Sequence, residues 1–232
     1  MMRELVLDTE TTGLEPGDGH RIVEIGMVEL VNLMPTGRTY HQYINPERAM
    51  PPEAFAVHGL GDDFLRDKPV FARIVDSFLE FVGEDRLVIH NAAFDMKFLN
   101  AELGWAQRPL LEFTRAFDTL SLARKKFPGS PASLDALCRR FAIDTAARTL
   151  HGALLDSQIL AEVYLELLGG QQPDFALSAR SDPREGGGGG QAALPRRPRP
   201  LPSRLTDAER AAHADFVAGL GAGAVWRKYS GA

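Results

Sequence analysis

Two apolar runs near the N-terminus, ELVLDTE and RIVEIGMVELV, constrain this chain more than any other feature. Both are rich in β-branched residues, and the turn-forming stretches GLEPGDGH and NLMPTG bound them, so both read as strands. GRTYHQYIN follows as a third strand, and three strands joined by short turns predict an antiparallel meander. Beyond it, VFARIVDSFLEFV sets Phe71, Ile74, Val75, Phe78, Leu79 and Val82 on one helical face, and RLVIHN is a short apolar strand. AAFDMKFLNAELG is a helix with Asn91 as its N-cap. A strand around FTRAFDT, a helix in SLARKKF, a helix from Ser133 to Phe141 and a long helix from Gly152 to Leu168 complete the body. A meander followed by alternating helices and strands predicts an α/β fold on a mixed sheet, one core within 232 residues.

The single cysteine, Cys138, excludes an intrachain disulfide and sits among apolar positions at helical spacing, as a buried structural thiol would. That composition suits a reducing, cytoplasmic setting. MMRELVLD has no basic stretch leading into an apolar one, and no run of 18 apolar residues occurs, so a soluble protein without a membrane partner is expected. Charge is uneven. Residues 1–170 hold 17 basic and 25 acidic side chains, whereas residues 178–204 hold six arginines against two acids. An acidic body argues against phosphate binding, which cations drive, unless bound divalent metal reverses the local field.

Past Gly169 and Gly170 the texture changes. REGGGGGQAALPRRPRPLPSR, within residues 178–204, cannot build a core and reads as a flexible linker. LTDAERAAHADFVAGLGAGAVWRKY, within 205–232, regains helical character but is too short to fold alone.

The candidate chemistry begins with Asp8 and Glu10, where the first apolar run ends. Two residues apart in an extended segment, they point to the same side and repel unless something positive lies between them. Alone, such a pair fits an ordinary solvated strand end as readily as a metal site. Asp95 falls in the first turn of a helix that follows a strand, where open α/β sheets place ligands, although an acid there also complements the helix dipole. Asp156 shares its helix's inward positions with Leu155, Ile159, Leu160 and Val163, so an unpaired carboxylate would be costly and a cation is expected. His151 lies five residues earlier, about 140° around a regular helix, so it can share a site with Asp156 only from the loop before that helix. Four acids and a histidine suit phosphodiester hydrolysis. Oxygen ligands hold hard divalent ions, a pair of which about 3.5 to 4 Å apart activates water and stabilises the leaving oxygen. An imidazole titrating near neutrality can take the water's proton.

LDTETTG, HNAAFD and HGALLD resemble, in order and spacing, the three motifs of the DnaQ-like 3′-5′ exonucleases, the histidine-containing DEDD branch with a ribonuclease H-like fold. The resemblance covers Leu5 to about Leu168 and implies an exonuclease domain over residues 1–170. It implies two ions, Mg²⁺ or Mn²⁺, on Asp8, Glu10, Asp95 and Asp156, with His151 as general base. It also implies that Glu53 and His58, in PEAFAVHGL, join Asp8, Glu10 and Asp156 in holding the terminal nucleotide; the residues alone suggest only a loop acid and a loop histidine. Thr9, Thr11 and Gly13 are turn residues whose backbone approaches that nucleotide.

QQPDFAL, within residues 171–177, resembles the peptides by which polymerase partners dock on a sliding clamp, with Gln172, Phe175 and Leu177 as anchors. Residues 205–232 resemble the polymerase-binding end of proofreading subunits. Together these imply a subunit that removes mispaired 3′ deoxynucleotides as 5′-monophosphates. Its implied partners are a single-stranded or frayed 3′ DNA end, the polymerase catalytic (alpha) subunit, the sliding clamp and a small accessory subunit. A stand-alone DNA or RNA trimming enzyme, or a catalytically idle tethering module, competes with that reading.

Overall fold

A computed structural model describes residues 2–146, 150–169 and 205–220, which fall in two units, Met1–Leu177 and Ser178–Ala232. In the first unit a five-stranded mixed sheet has the order β3-β2-β1-β4-β5. Strands β1 (Arg3–Thr11), β2 (Ile22–Val31) and β3 (Met34–Tyr43) form the expected antiparallel meander, and β4 (Arg86–Ile89) and β5 (Ala116–Asp118) extend it in parallel.

Helices α1 (Pro52–His58), α2 (Asp62–Leu65) and α3 (Phe71–Val82) separate β3 from β4. Helix α4 (Ala92–Trp105) lies between β4 and β5. Then follow α5 (Thr119–Lys126), α6 (Leu134–Phe141) and α7 (Ala153–Leu168).

Alternation along β1 divides the molecule into layers. Leu5 and Leu7, with Ile25, Met27, Leu87 and Ile89, pack on Phe71, Phe78, Phe98 and Leu103 of α3 and α4. Val6, Val28 and Val88 pack instead on Leu160, Ala161 and Tyr164 of α7. Cys138 is buried with Leu137, Ile159 and Val163, where α6 meets α7. Arg21 locks α4 to the sheet: Nε and Nη2 each donate to the Glu102 carboxylate at 2.8 Å, and the guanidinium stacks over Trp105.

Four expectations are corrected. The turn between β2 and β3 is only Asn32–Leu33, both in left-handed conformation, and the pairing of Val31 with Met34 brings the rest of NLMPTG into β3. Asn91 occupies the N-cap position of α4 but is left-handed and makes no side-chain cap. The start of the helix is tied down from outside it, the Asp118 carboxylate accepting the N–H of Asn91 at 3.0 Å and that of Ala92 at 3.4 Å. Glu53 and His58 stand on a helix, not a loop, because Pro52 opens α1 and left-handed Gly59 closes it. Finally, β1 continues beyond the apolar run to Thr11, since Glu10 still pairs with Glu24 and Thr11 with Ile22.

In the second unit, α8 (Asp207–Gly219) starts at a capping box in which Thr206 and Glu209 satisfy one another's backbone N–H groups. Gln172, Phe175, Leu177 and residues 178–204 lie outside the described residues, as does the end of the chain from 221. Among the described residues no helix is long and apolar enough to cross a membrane.

Candidate active site

The site forms where β1 ends between α4 and α7. Asp8 and Glu10 share the sheet face that carries Val6, the face covered by α7. Directly across from Asp8 on β2 is Gly26, and α7 begins against it. A Cβ at Gly26 would stand 2.2 Å from the backbone of Ala153 and Leu154, so only glycine admits the first turn of the helix. The Ser157 hydroxyl donates to the Gly26 carbonyl at 2.9 Å and fixes the rotation of α7, which turns buried Asp156 toward the acids of β1.

His151 lies in the loop just before α7, as a shared site requires, with its backbone N–H on the Val57 carbonyl of α1 at 3.2 Å. Its Nδ1 is 3.1 Å from Asp156 Oδ2. One ligand atom each from Glu10, His151 and Asp156 lie within 4.8 Å of one another, close enough to hold a single ion among them. Asp8 and Asp95 fall outside that group.

Asp95 approaches from the α4 layer. Strand β4 ends at Ile89, and the Asp118 carboxylate accepts from the N–H of Asn91 and of Leu120, tying the starts of α4 and α5 together. Against the cost of burial, hydrogen bonds from Ser121 and from the N–H groups of Leu120, Ala92 and Asn91 hold the Asp118 carboxyl below its ordinary value. That anchored turn delivers Asp95 to β1, where the Thr9 hydroxyl donates to its Oδ1 at 2.7 Å. Burial pushes the Asp95 carboxyl up to about 7, with the Thr9 hydrogen bond opposing the rise. A carboxylate so desolvated gains most from a nearby cation, and Asp95 forms no ion pair among the described residues. The donors here are hard oxygens with one imidazole, a set that fits divalent ions of the magnesium or manganese kind.

Glu10, Glu53 and His58 line one cavity of about 620 Å³ with Thr11, Gly13 and Phe94. His58 is buried, accepts the Leu60 N–H at Nδ1 and therefore carries its proton on Nε2, which has no hydrogen-bond partner. Burial lowers the His58 pKa, the Thr11 backbone opposes that shift, and nearby His151 adds a smaller lowering, so the ring is held as a neutral donor in the cavity wall.

Gly26, Ser157 and Asp118 carry no chemistry and escape a search for reactive side chains. A glycine inside the apolar strand EIGMV does signal close backbone approach. Gly26→Ala should destabilise the protein by about 3 kcal/mol, the upper range for overpacking, because the clash is with backbone. It should also weaken Mn²⁺ binding. Chemical denaturation and metal titration read the two effects separately.

Comparison with known proteins agrees with this geometry. A family model described as an exonuclease matches residues 5–164. DNA polymerase III subunit epsilon of Rickettsia felis is 56% identical over 183 residues, covering 78% of this chain and 80% of the relative. The Escherichia coli protein of that name is 46% identical over 241 residues and covers 97% of both chains. Among solved structures, exonuclease X in complex with 5′ overhanging duplex DNA matches 71% of this chain and 90% of its own at 26% identity, with a TM-score of 0.57. The nuclease domain of 3′hExo, a DEDDh family member bound to rAMP, shares the fold at 20% identity, covering 72% and 91%, with a TM-score of 0.63. By these matches the chain belongs to the exonuclease family of DNA polymerase III epsilon subunits, metal-dependent 3′-5′ exonucleases that proofread newly made DNA.

Proposed function

We propose that the cluster of Glu10, His151 and Asp156, with Asp8 and Asp95 beside it, is the hydrolytic centre for a mispaired 3′ end, and that two Mg²⁺ or Mn²⁺ ions occupy it. The observation that carries this reading is the convergence of the three ligand atoms from β1, the 150–152 loop and α7. Bound divalent ions would supply Lewis-acid charge to the phosphodiester and to the attacking water. Asp8, Glu10, Asp95 and Asp156 would hold them. With its Nδ1–H given to Asp156, His151 keeps Nε2 as the basic nitrogen and removes the water's proton. Glu53 and the Nε2–H of His58 hold the terminal nucleotide in the cavity beside Glu10, and a 5′-monophosphate leaves.

The remainder of the chain serves attachment in the replisome, a cytoplasmic, nucleoid-associated assembly. Gln172, Phe175 and Leu177 dock on the sliding clamp, residues 178–204 are a tether, and residues 205–232 bind the polymerase catalytic subunit, with room for a small accessory subunit. Support comes from the Escherichia coli relative, whose match runs through the tail, and from α8, whose Phe216 is 64% exposed and available to a partner.

The test is a nuclease assay of the full chain in Mg²⁺ on a DNA primer with a 3′ mismatch and, side by side, on a short RNA. Stepwise shortening of the DNA with release of 5′-monophosphates is expected, faster than on RNA. Preference for RNA would favour the stand-alone trimming enzyme, and inertness on both would favour the tethering module.

A further inference from the structure

The cavity beside Glu10 has a wall that lies outside the three motifs and takes no part in the proposed hydrolysis. Along with Glu10, Glu53, His58 and Phe94, it is lined by His20, from the segment between β1 and β2. We infer that His20 is a further contact to the terminal nucleotide, donating a hydrogen bond from Nε2. The inference rests on the exonuclease reading and adds a residue to it.

Its orientation follows from three neighbours. Thr12 is fully buried, and its hydroxyl accepts the Arg21 N–H at 3.0 Å while lying 3.1 Å from His20 Nδ1. Among the described residues His20 Nδ1 is the one acceptor left for the Thr12 hydroxyl proton, so Thr12 donates and His20 is the Nε2–H tautomer. Arg21 is itself fixed by its two bonds to Glu102, which makes the Thr12–His20 pair a rigid one. Gly13 supplies the space: a Cβ there would lie 2.3 to 2.6 Å from Cε1, Nδ1 and Nε2 of the ring, so the imidazole edge rests directly on the glycine. Nε2–H makes no hydrogen bond among the described residues, and the cavity that His20 lines is the space a nucleotide would enter. Such an N–H donor suits an acceptor on the sugar-phosphate or on the base.

Calorimetric titration of the full chain with dTMP in Mn²⁺ tests the contact, alongside titration with deoxyribose 5-phosphate. His20→Ala should weaken dTMP about tenfold, the worth of one hydrogen bond, with Mn²⁺ affinity unchanged. His20→Gln, which keeps an N–H donor, should recover most of the loss. Gly13→Ala, which displaces an intact imidazole, should reproduce the His20→Ala deficit. Equal loss with deoxyribose 5-phosphate places the partner on the sugar-phosphate, and loss with dTMP alone places it on the base. Unchanged dTMP affinity in His20→Ala, or an equal fall in Mn²⁺ affinity, overturns the contact while the wild-type chain still degrades DNA. A wild-type chain that neither binds dTMP nor degrades DNA overturns the contact and the exonuclease reading together.

Discussion

Alanine in place of Asp8 or Glu10 should nearly abolish turnover while leaving the fold intact. Both side chains project from β1 on the face covered by α7, and Glu10 faces Glu24 directly across the β1–β2 ladder. Glu24 is pinned by His41 at 2.7 Å, so it remains where it is when Glu10 is lost. Removal of either acid takes a ligand from the proposed metal site, and metal ions contribute several kcal/mol of transition-state stabilisation. At about 1.4 kcal/mol per factor of ten, a rate loss on the order of a thousandfold or more is expected. The effect on stability runs the other way. Without metal the acids repel one another, so the thermal midpoint in chelator should stay level or rise in either variant. Single-turnover hydrolysis of single-stranded DNA and thermal denaturation in EDTA supply the two readings. A variant with near-wild-type rate would remove that residue from the metal site.

His151→Ala should lower the rate by roughly 100-fold to 10,000-fold, the range for a lost general base. The residue stands within 4.8 Å of both Glu10 and Asp156, so its geometry alone would also suit a ligand. The distinction lies in what the substitution spares. A base lost from a loop anchored through its backbone to Val57 leaves the acids in place, and Mn²⁺ affinity should hold. A rate restored by saturating metal would make His151 a ligand and sink the base assignment.

Much of this site's geometry was legible in the chain because its parts obey simple periodicities. Alternation along β1 sets Asp8 and Glu10 on one side, and the apolar company of Asp156 predicts the burial the structure shows. The 140° offset between His151 and Asp156 requires a helix that starts after residue 151, and α7 starts at Ala153. Long-range partners were not legible. Asn91 has the composition of an N-cap, but its side chain makes no cap, and Asp118, 27 residues away, instead accepts the N–H of Asn91 itself. α1 is seven residues long, below the length at which local sequence decides, and its closing turn holds His58 in the wall of a cavity that α1 shares with the end of β1, the segment after it and Phe94 of α4. The width of the turn between β2 and β3 depended on two non-glycine residues, Asn32 and Leu33, adopting a left-handed backbone that favours Asn but not Leu.

The distance in sequence between Gly26 and the helix that rests on it has a consequence for biosynthesis. The acids of β1 leave the ribosome nearly 150 positions ahead of Asp156 and the Ser157 clasp. At translation speeds of about 5 to 20 residues per second, roughly 7 to 30 s separate the two halves of the site. Through that interval a nascent chain carries Asp8 and Glu10 on a sheet whose α7 face is bare, with no His151 to accept a proton. The Glu10, His151 and Asp156 cluster therefore assembles only when α7 closes over the sheet, and on the proposed assignment a nuclease being made beside nucleic acid stays inert until then.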